Sequence, residues 1–371
     1  MTMPARLSFP GFVDVHVHFR DPGMPEAETT ATGLAAAARG GFAAVVTMPN
    51  TTPACDTPEM LDYQRRAAEA AQTVLIPSAC ITKGRLGREV ADLEALVEAG
   101  AAFFTDDGSY VADDKVMEEA MRRAAKLGIC VCDHAVDPKV RGDGVIRDCA
   151  LARRMRLPVM PAAAETTAIR RDIAICRVTG CSLHIQHIST AEGVALVREA
   201  QTEGLPVTAE ATPHHLALSC ESIASDDANY KMAPPLGNDE DVAELRRAVK
   251  DGVLMFATDH APHSAAKKSL GFVHGANGII GLEAAIPVTW QVMVEEEGMD
   301  ADAWARAWWK MPRTILSADA AKRLEGARGT VVEVGEPRAI EVAKFASLSR
   351  NCPYDGWKSV CWPVDHYPTN H

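Results

Sequence analysis

The chain has 371 residues, of which 47% are hydrophobic and 24% charged, and its formal net charge is −12. This composition supports a sizeable hydrophobic core and argues against disorder. The acidic balance and the lack of a basic stripe argue against nucleic acid and anionic membranes as partners, whereas a small anionic substrate needs only a local basic site. The first ten residues lack the features of a signal peptide, and the apolar runs are too short to span a membrane, so we expect neither.

Eight short apolar runs alternate along the chain with longer helical patterns. The runs lack the polar alternation of a half-exposed sheet, which indicates strands buried on both faces, as in a parallel sheet. The predicted strands are 12–18, 42–48, 74–80, 101–105, 129–134, 182–188, 206–211 and 254–258. The predicted helices are 29–39, 58–71, 88–99, 114–127, 166–178, 191–203, 239–250 and 280–297.

Eight βα units in series predict an α/β fold of the closed (β/α)8 type, a TIM barrel with its helices outside. A doubly wound open sheet is the alternative, but no GxGxxG motif follows the first strand. We expect the catalytic barrel to span 11–312, with 1–10 and 313–371 as terminal segments packed on it. The last segment is predicted to be a small β or irregular appendage.

Ten cysteines are scattered along the chain without a CxxC motif. Cys130 and Cys132 lie in an apolar run, where buried free thiols are expected. Free thiols persist in reducing compartments, so the sequence predicts a cytoplasmic protein.

Histidines stand at the ends of three predicted strands, where the catalytic groups of a barrel lie. His16 and His18 are two residues apart on a strand, so both face one side and can bind one metal ion. This pair alone is weak evidence, since two structural histidines would give the same pattern. His134 and His187 end the fifth and sixth strands, and the four together predict a converging zinc site.

Carboxylates end two further strands. Asp259 follows the eighth strand, where it can contact the metal and take a proton from water, although an N-cap is the ordinary alternative. Asp106 lies in the Asp106-Asp107-Gly108 sequence after the fourth strand. Such a sequence readily makes a turn, but the Asp106 carboxylate can instead bridge two metal ions.

Three residues near these strand ends suit a substrate carboxylate. Arg20 directly follows the histidine pair and offers charge, Asn50 follows the second strand and offers an amide, and His263 lies four residues past Asp259. Surface roles are the alternative for Arg20 and Asn50.

Seven motifs together resemble the dihydroorotases of the amidohydrolase superfamily, over roughly residues 11 to 356. They are the segments 15–23 (VHVHFRDPG), 47–53 (TMPNTTP), 187–189 (HIS), 212–216 (TPHHL), 257–263 (ATDHAPH), 277–283 (NGIIGLE) and 349–356 (SRNCPYDG).

The resemblance implies the zinc-dependent interconversion of N-carbamoyl-L-aspartate and L-dihydroorotate in pyrimidine synthesis. It also implies a mobile loop at the barrel rim. The ligand set implied for one or two zinc ions is His16, His18, His134 and His187, with Asp259 as a metal-contacting acid and base. The contacts implied for the substrate carboxylate are Arg20, Asn50 and His263.

Three departures from the family pattern matter. Many relatives bridge two zinc ions with a carboxylated lysine on the fourth strand, but 101–108 has no lysine, so Asp106 is the candidate bridge. Relatives usually have Asn or Arg near the substrate where this chain has Ala233. The β-sandwich subdomain is predicted to be reduced or absent, which would favour a homo-oligomer or assembly with aspartate transcarbamoylase.

Two other functions remain open at this point. Another cyclic amidohydrolase, such as a hydantoinase, dihydropyrimidinase or allantoinase, usually has the bridging lysine and lacks the Arg–Asn pair. An inactive barrel that serves as a structural partner of aspartate transcarbamoylase typically loses the metal histidines, and all four are present here.

Overall fold

The structure is a computed structural model, and it describes residues 4–367. The strands are β1 (Ala5–Phe9), β2 (Phe12–Val17), β3 (Phe42–Thr47), β4 (Val74–Pro77), β5 (Val131–Asp133), β6 (Leu183–Ile185), β7 (Val207–Ala211), β8 (Leu254–Phe256), β9 (Gly329–Ala339) and β10 (Lys358–Tyr367). The α-helices are α1 (Thr30–Arg39), α2 (Pro58–Ala67), α3 (Leu93–Glu98), α4 (Asp114–Leu127), α5 (Pro138–Arg141), α6 (Ala150–Met155), α7 (Ala163–Thr179), α8 (Ala191–Thr202), α9 (Pro213–Ala217), α10 (Asp239–Lys250), α11 (Ala265–Lys268), α12 (Gly271–His274), α13 (Ala285–Thr289), α14 (Ala301–Trp309) and α15 (Ala318–Lys322).

Parallel strands form the predicted closed barrel. They make two sheets, β2-β3-β4 and β5-β6-β7-β8, which are joined at both seams by single bridges. At one seam Phe104 bridges to Ala79 and to Val131, and at the other Val17 bridges to His260. The predicted fourth strand is therefore present as a short hydrogen-bonded segment, in which Phe104 N donates to Cys130 O and Thr105 N donates to Ala79 O.

The two faces of the barrel strands pack into different hydrophobic groups. One face, which includes Val45 and Phe104, packs with residues from the surrounding helices. The other face, which includes Val13, Val15 and Val46, packs in the barrel interior. This double burial is why the strands show no polar alternation in the sequence.

A bulge in β2 sets the direction of its last side chains. Asp14 pairs with Val45 and Val17 pairs with Thr47, so β2 has one extra residue between these pairs. An extra residue reverses the alternation of side chains. Val13 and Val15 can therefore face the interior while His16 also turns toward the barrel mouth.

Two helices end at a glycine in the left-handed conformation. Gly128 ends α4 and Gly180 ends α7, with φ of 67° and 69°. Three predicted helices are several residues shorter than expected. The predicted helix 58–71 ends at Ala67. The segment before α3 is occupied by glycine turns and by a bridge between Thr82 and Val90. The predicted helix 280–297 begins only at Ala285 and continues as a π-helix from Trp290 to Glu296.

The chain termini form a separate antiparallel sheet. β9 lies between β1 and β10, and β1 pairs with β9 from Ala5–Val334 to Phe9–Thr330. This three-stranded sheet is the reduced β subdomain. The predicted barrel limits at 11 and 312 stay a prediction, and residues 1–3 and 368–371 of the terminal segments lie outside the described residues.

No helix in residues 4–367 is long and apolar enough to cross a membrane. All ten cysteines are buried free thiols.

Candidate active site

The four predicted histidines meet at the carboxyl end of the barrel. His16 lies at the end of β2, His18 just after it, His134 directly after β5, and His187 two residues after β6. All four side chains are buried. Nδ1 of His134 lies 2.7 Å from Nε2 of His187, although these residues come from neighbouring strands. The convergence expected from the strand ends is therefore present.

Asp107 lies at the centre of the histidine cluster. Its Oδ1 is 3.4 Å from Nε2 of His16, 3.5 Å from Nδ1 of His134 and 3.5 Å from Nε2 of His187. Its Oδ2 is 3.2 Å from Nε2 of His18. Burial alone would raise the pKa of Asp107, but the charges of His16 and His18 hold it well below the usual value. One carboxylate thus faces all four imidazoles.

The expectation that Asp106 occupies this position is corrected by the structure. The Asp106 carboxylate accepts hydrogen bonds from the backbone N–H groups of Ile81 and Thr82, at 2.9 and 3.1 Å, and from the Thr82 hydroxyl. Side chains alternate along the fourth strand, so Thr105 and Asp107 face the interior while Asp106 faces away. Asp106 therefore fixes the 81–82 turn.

Asp259 lies across the seam between the eighth and first barrel strands, opposite His16 and His18. Its Oδ1 lies 2.9 Å from Nε2 of His18 and 3.5 Å from Nε2 of His16. Burial opposes ionisation, but His16 and His18 lower the pKa of Asp259 well below its usual value. Both Asp259 and His187 have positive φ, 48° and 33°, in a backbone region that non-glycine residues seldom adopt. Such strain is concentrated at functional sites.

Hydrogen bonds from behind fix the orientation of two histidines. Nδ1 of His16 lies 2.5 Å from Oε1 of Glu210, and Nδ1 of His18 lies 3.0 Å from Oδ1 of Asn50. Since these acceptors take a hydrogen bond from Nδ1, Nε2 is the nitrogen of each ring that faces the cluster. Burial would raise the pKa of Glu210, but His16 and His184 lower it to about 2, so this acceptor is ionised. Such partners are typical of metal-binding histidines.

The buried donor atoms of this cluster fit a metal ion. Nε2 of His16 and Oδ1 of Asp107 are buried without a hydrogen-bond partner. Burial disfavours charge on His16, yet the carboxylates of Glu210, Asp107 and Asp259 raise its pKa well above the usual value, so positive charge is stabilised at this point. Two groups have ligand atoms close enough to share an ion: His16 with His18 and Asp259, and His16 with Asp107 and His187. Imidazole with carboxylate is a donor set that suits zinc.

A cavity of 220 Å³ opens directly onto this cluster. The three residues predicted for a substrate carboxylate, Arg20, Asn50 and His263, all line it. Nε of Arg20 donates to the carbonyl of Pro262 at 3.1 Å, which holds the side chain in place. Burial lowers the pKa of Arg20 to about 10, so the guanidinium remains charged at neutral pH.

His263 forms part of the wall beside Arg20. Its Nε2 lies 2.6 Å from the carbonyl oxygen of Asn277, so Nε2 carries the proton and donates it. Burial first, and the charge of Arg20 second, lower the pKa of His263 to about 3. The ring is therefore neutral, and a contact with substrate stays a prediction.

Three features of the site were not expected from the sequence. Glu210 lies in β7 and could be recognised only once β7 and β2 were placed across the barrel. Arg141 and Asn277 line the cavity together with Ala233. Arg141 ends the one-turn helix α5 and Asn277 lies in an irregular segment, and neither is long enough for a periodicity that indicates which side chains face inward.

Comparison with known proteins gives consistent matches in sequence and in structure. A family model described as dihydro-orotase-like matches residues 5–193. The chain is 42% identical over 358 residues to a dihydroorotase of Geobacillus sp. strain WCH70, with 95% of this chain and 84% of that protein covered. It is also 42% identical over 364 residues to a dihydroorotase of Bacillus caldolyticus, with 97% and 85% covered.

Solved structures share the barrel fold at low sequence identity. The L-hydantoinase (dihydropyrimidinase) from Arthrobacter aurescens aligns with a TM-score of 0.81 at 22% identity, and the alignment covers 99% of this chain and 85% of that one. The dihydroorotase from Saccharomyces cerevisiae in complex with 5-fluoroorotic acid aligns with a TM-score of 0.72 at 17% identity, covering 98% and 100%.

Proposed function

Because the chain belongs to the dihydroorotase family, we propose that it catalyses the reversible cyclisation of N-carbamoyl-L-aspartate to L-dihydroorotate in pyrimidine biosynthesis with the help of zinc. The enzyme is a cyclic amide hydrolase. One observation carries the proposal: a cluster of metal-ligand side chains and a buried arginine line the same small cavity. A cyclic amide that bears a carboxylate needs both.

Six side chains would hold the metal: His16, His18, Asp107, His134, His187 and Asp259. Asp107 stands between the pair His16 and His18 and the pair His134 and His187, so it is the residue suited to bridge two ions. When bound, zinc supplies a Lewis acid that polarises a carbonyl and makes water more acidic.

Asp259 is placed to move the proton of the reaction. Its low pKa makes it a carboxylate at neutral pH, so it can accept a proton from the attacking water. In hydrolysis, the C–O bond forms at the ring carbonyl, the C–N bond breaks, and Asp259 returns the proton to the leaving nitrogen. In cyclisation Asp259 takes the proton from the carbamoyl nitrogen as the C–N bond forms, and returns it to the carboxyl oxygen that leaves as water when the C–O bond breaks.

Arg20, Asn50 and His263 would orient the substrate through its free carboxylate. Nε of Arg20 donates to Pro262 O, and one terminal nitrogen lies 3.4 Å from Nε2 of His263, so the guanidinium is oriented beside His263, where it can pair with an anion. Asn50 also orients His18, so it links the substrate wall to the metal cluster. Fixing the ring in this way contributes orientation to the reaction.

The test of function compares dihydroorotate with dihydrouracil, hydantoin and allantoin as substrates for the metal-loaded protein. We expect dihydroorotate to be strongly preferred. Arg20→Met should raise KM for dihydroorotate roughly tenfold to a hundredfold, because a charge-assisted hydrogen bond is lost. Arg88→Met, which removes an exposed arginine, should change nothing.

Preferred turnover of a ring without a carboxylate would contradict the proposal in favour of a hydantoinase or dihydropyrimidinase. A metal-free protein without any turnover that still bound aspartate transcarbamoylase would favour a scaffold role.

We also infer a cytoplasmic location, because ten free thiols are typical of reducing compartments. Assembly as a homo-oligomer or with aspartate transcarbamoylase stays a prediction from the family resemblance, and sedimentation of the purified protein would test it.

A further inference from the structure

The substrate cavity contains a second cationic side chain, Arg141, on the wall opposite Arg20. Arg20 follows β2, which is the first barrel strand, whereas Arg141 ends α5, which follows β5, the fifth barrel strand. In a closed barrel of eight strands, the first and fifth strands stand opposite each other. Both arginines line the cavity.

The guanidinium of Arg141 is not used by the protein itself. Within residues 4–367 its one hydrogen bond is from Nε to the carbonyl of Gly142, at 3.4 Å, and no carboxylate pairs with it. The terminal nitrogens are thus left with four N–H donors and no acceptor from the described part of the chain. The side chain is half-buried and lines the cavity.

The segment that carries Arg141 is held in place. The Asp137 carboxylate caps α5 by accepting from Lys139 N at 2.8 Å, and Asp137 N donates to Ala164 O at 2.8 Å. Further along, the buried Arg147 donates to Ser189 Oγ at 2.9 Å, next to the loop that carries His187. Arg141 therefore approaches the cavity from a segment tied to α7 and β6.

One hydrogen-bond acceptor of the substrate has no donor among the contacts proposed so far. The ring of dihydroorotate bears oxygen at three alternate positions: the scissile carbonyl, the carboxylate and the ureido carbonyl. In the proposed function the scissile carbonyl would face the Asp107 and histidine cluster, and the carboxylate would face Arg20. The third wall includes Ala233, whose methyl group donates no hydrogen bond.

We propose that Arg141 donates a hydrogen bond to the ureido carbonyl oxygen of the substrate, which is the carbonyl that the reaction leaves intact. Arg141 thereby supplies from α5 the polar contact that Ala233 does not make. The inference rests on the proposed function, since that function defines the ureido group. It assigns Arg141 to substrate binding and gives it no part in the bond-breaking step.

The experiment compares Arg141→Met with Lys139→Met, which removes an exposed positive charge from the same helix. Two ligands are used: N-carbamoyl-L-aspartate, and succinate as a dicarboxylate without the ureido group. We expect Arg141→Met to weaken binding of N-carbamoyl-L-aspartate about tenfold or more and to raise its KM with little change in kcat, because the contact is the same in ground and transition states. Succinate binding and the Lys139 variant should be unaffected.

A second substitution provides a rescue. Ala233→Asn in the Arg141→Met background adds an amide donor to the lining of the same cavity and should restore most of the lost affinity for N-carbamoyl-L-aspartate. Binding to the metal-loaded protein is measured by calorimetry in addition to the kinetics. Failure of the proposed contact can then be distinguished from failure of the proposed function. If binding depended on the ureido group but the protein showed no turnover, this result would support the contact and contradict the proposed function.

Several results would overturn the contact. Unchanged affinity in Arg141→Met would remove it. Equal weakening of both ligands would show a general effect of charge. A loss seen with Asn277→Ala and not with Arg141→Met would assign the ureido carbonyl to Asn277.

Discussion

Asp106 and Asp107 are neighbours in the chain, yet their side chains serve opposite sides of a strand. Asp107 faces four imidazoles, while Asp106 closes a turn through Ile81 and Thr82. The difference arises from strand alternation, which places every second residue on the same face. The two side chains are chemically identical, so residue type alone does not show which of them faces the histidine cluster.

We expect Asp107→Asn and Asp106→Asn to separate these roles. Asp107→Asn removes a central anionic ligand, so bound metal should fall sharply while the fold is retained. Asp106→Asn should keep its metal but lose about 1–3 kcal/mol of unfolding free energy, because buried hydrogen bonds to a carboxylate are weakened. Metal analysis and urea unfolding of both variants measure this. Loss of metal in Asp106→Asn alone would restore the original assignment.

Asp259→Asn tests the proton-transfer role. The amide keeps the shape of the side chain but cannot accept the proton, so turnover should fall by roughly two to four orders of magnitude. Bound metal should be reduced far less than in Asp107→Asn, because His16 and His18 remain. Turnover close to that of the unmodified protein would remove Asp259 from the proton path.

The amino-acid sequence alone predicted most residues of the candidate site, but it missed some of them for identifiable reasons. His16, His18, His134 and His187 stand out because they lie at the ends of the first, fifth and sixth strands, and the ends of barrel strands meet at one face. The sequence could not choose between the two aspartates, since Phe103 and Phe104 leave the direction of the fourth strand ambiguous. Glu210 was missed because its role depends on a contact with His16, 194 residues away.

At the scale of elements, the segment after β8 forms one wall of the substrate cavity. The hydrogen bonds of a buried lysine hold this segment in place. Nζ of Lys268 donates to the carbonyls of Lys231, Ala276 and Gly278 at 3.2, 2.9 and 2.8 Å. Nδ2 of Asn351 also donates to the carbonyl of Gly278, at 3.0 Å. Burial lowers the pKa of Lys268 to about 7. Lys268, at the end of α11, thereby ties the irregular residues 276–278 to Lys231.

Lys268→Met should loosen this wall. Three carbonyls would each lose the hydrogen bond from Nζ, so unfolding free energy should fall by about 1–3 kcal/mol and KM for dihydroorotate should rise. Lys267→Met is the matched control, because Lys267 is exposed and, among residues 4–367, its Nζ contacts only the Met24 sulfur. Equal effects of the two substitutions on KM and on urea unfolding would argue against this account.

Strand and helix positions followed from hydrophobic pattern, whereas irregular geometry did not. α4 and α10 begin and end where the sequence predicts, because each combines an N-cap side chain with an apolar stripe. The β2 bulge and the π-helix from Trp290 to Glu296 leave no comparable signal, since both arise from packing against distant parts of the chain.

At the scale of the whole molecule, the barrel brings groups from distant sequence positions into one small volume. The metal cluster draws on the first, fourth, fifth, sixth and eighth strands, and the cavity adds the segment after the seventh through Ala233. The reduced terminal sheet joins β1 to β9 and β10 beside this barrel. None of the proposed ligands comes from that sheet, so the barrel itself holds the whole candidate site.

The central claim is that dihydroorotase activity depends on a metal held by this cluster. The most direct measurement removes metal with a chelator, adds zinc stepwise, and follows dihydroorotate hydrolysis together with bound zinc. The account predicts that activity is lost on chelation and returns in proportion to bound zinc, and that Asp107→Asn recovers neither. Full activity in the metal-free protein, or a zinc-loaded protein that does not hydrolyse dihydroorotate, would contradict it.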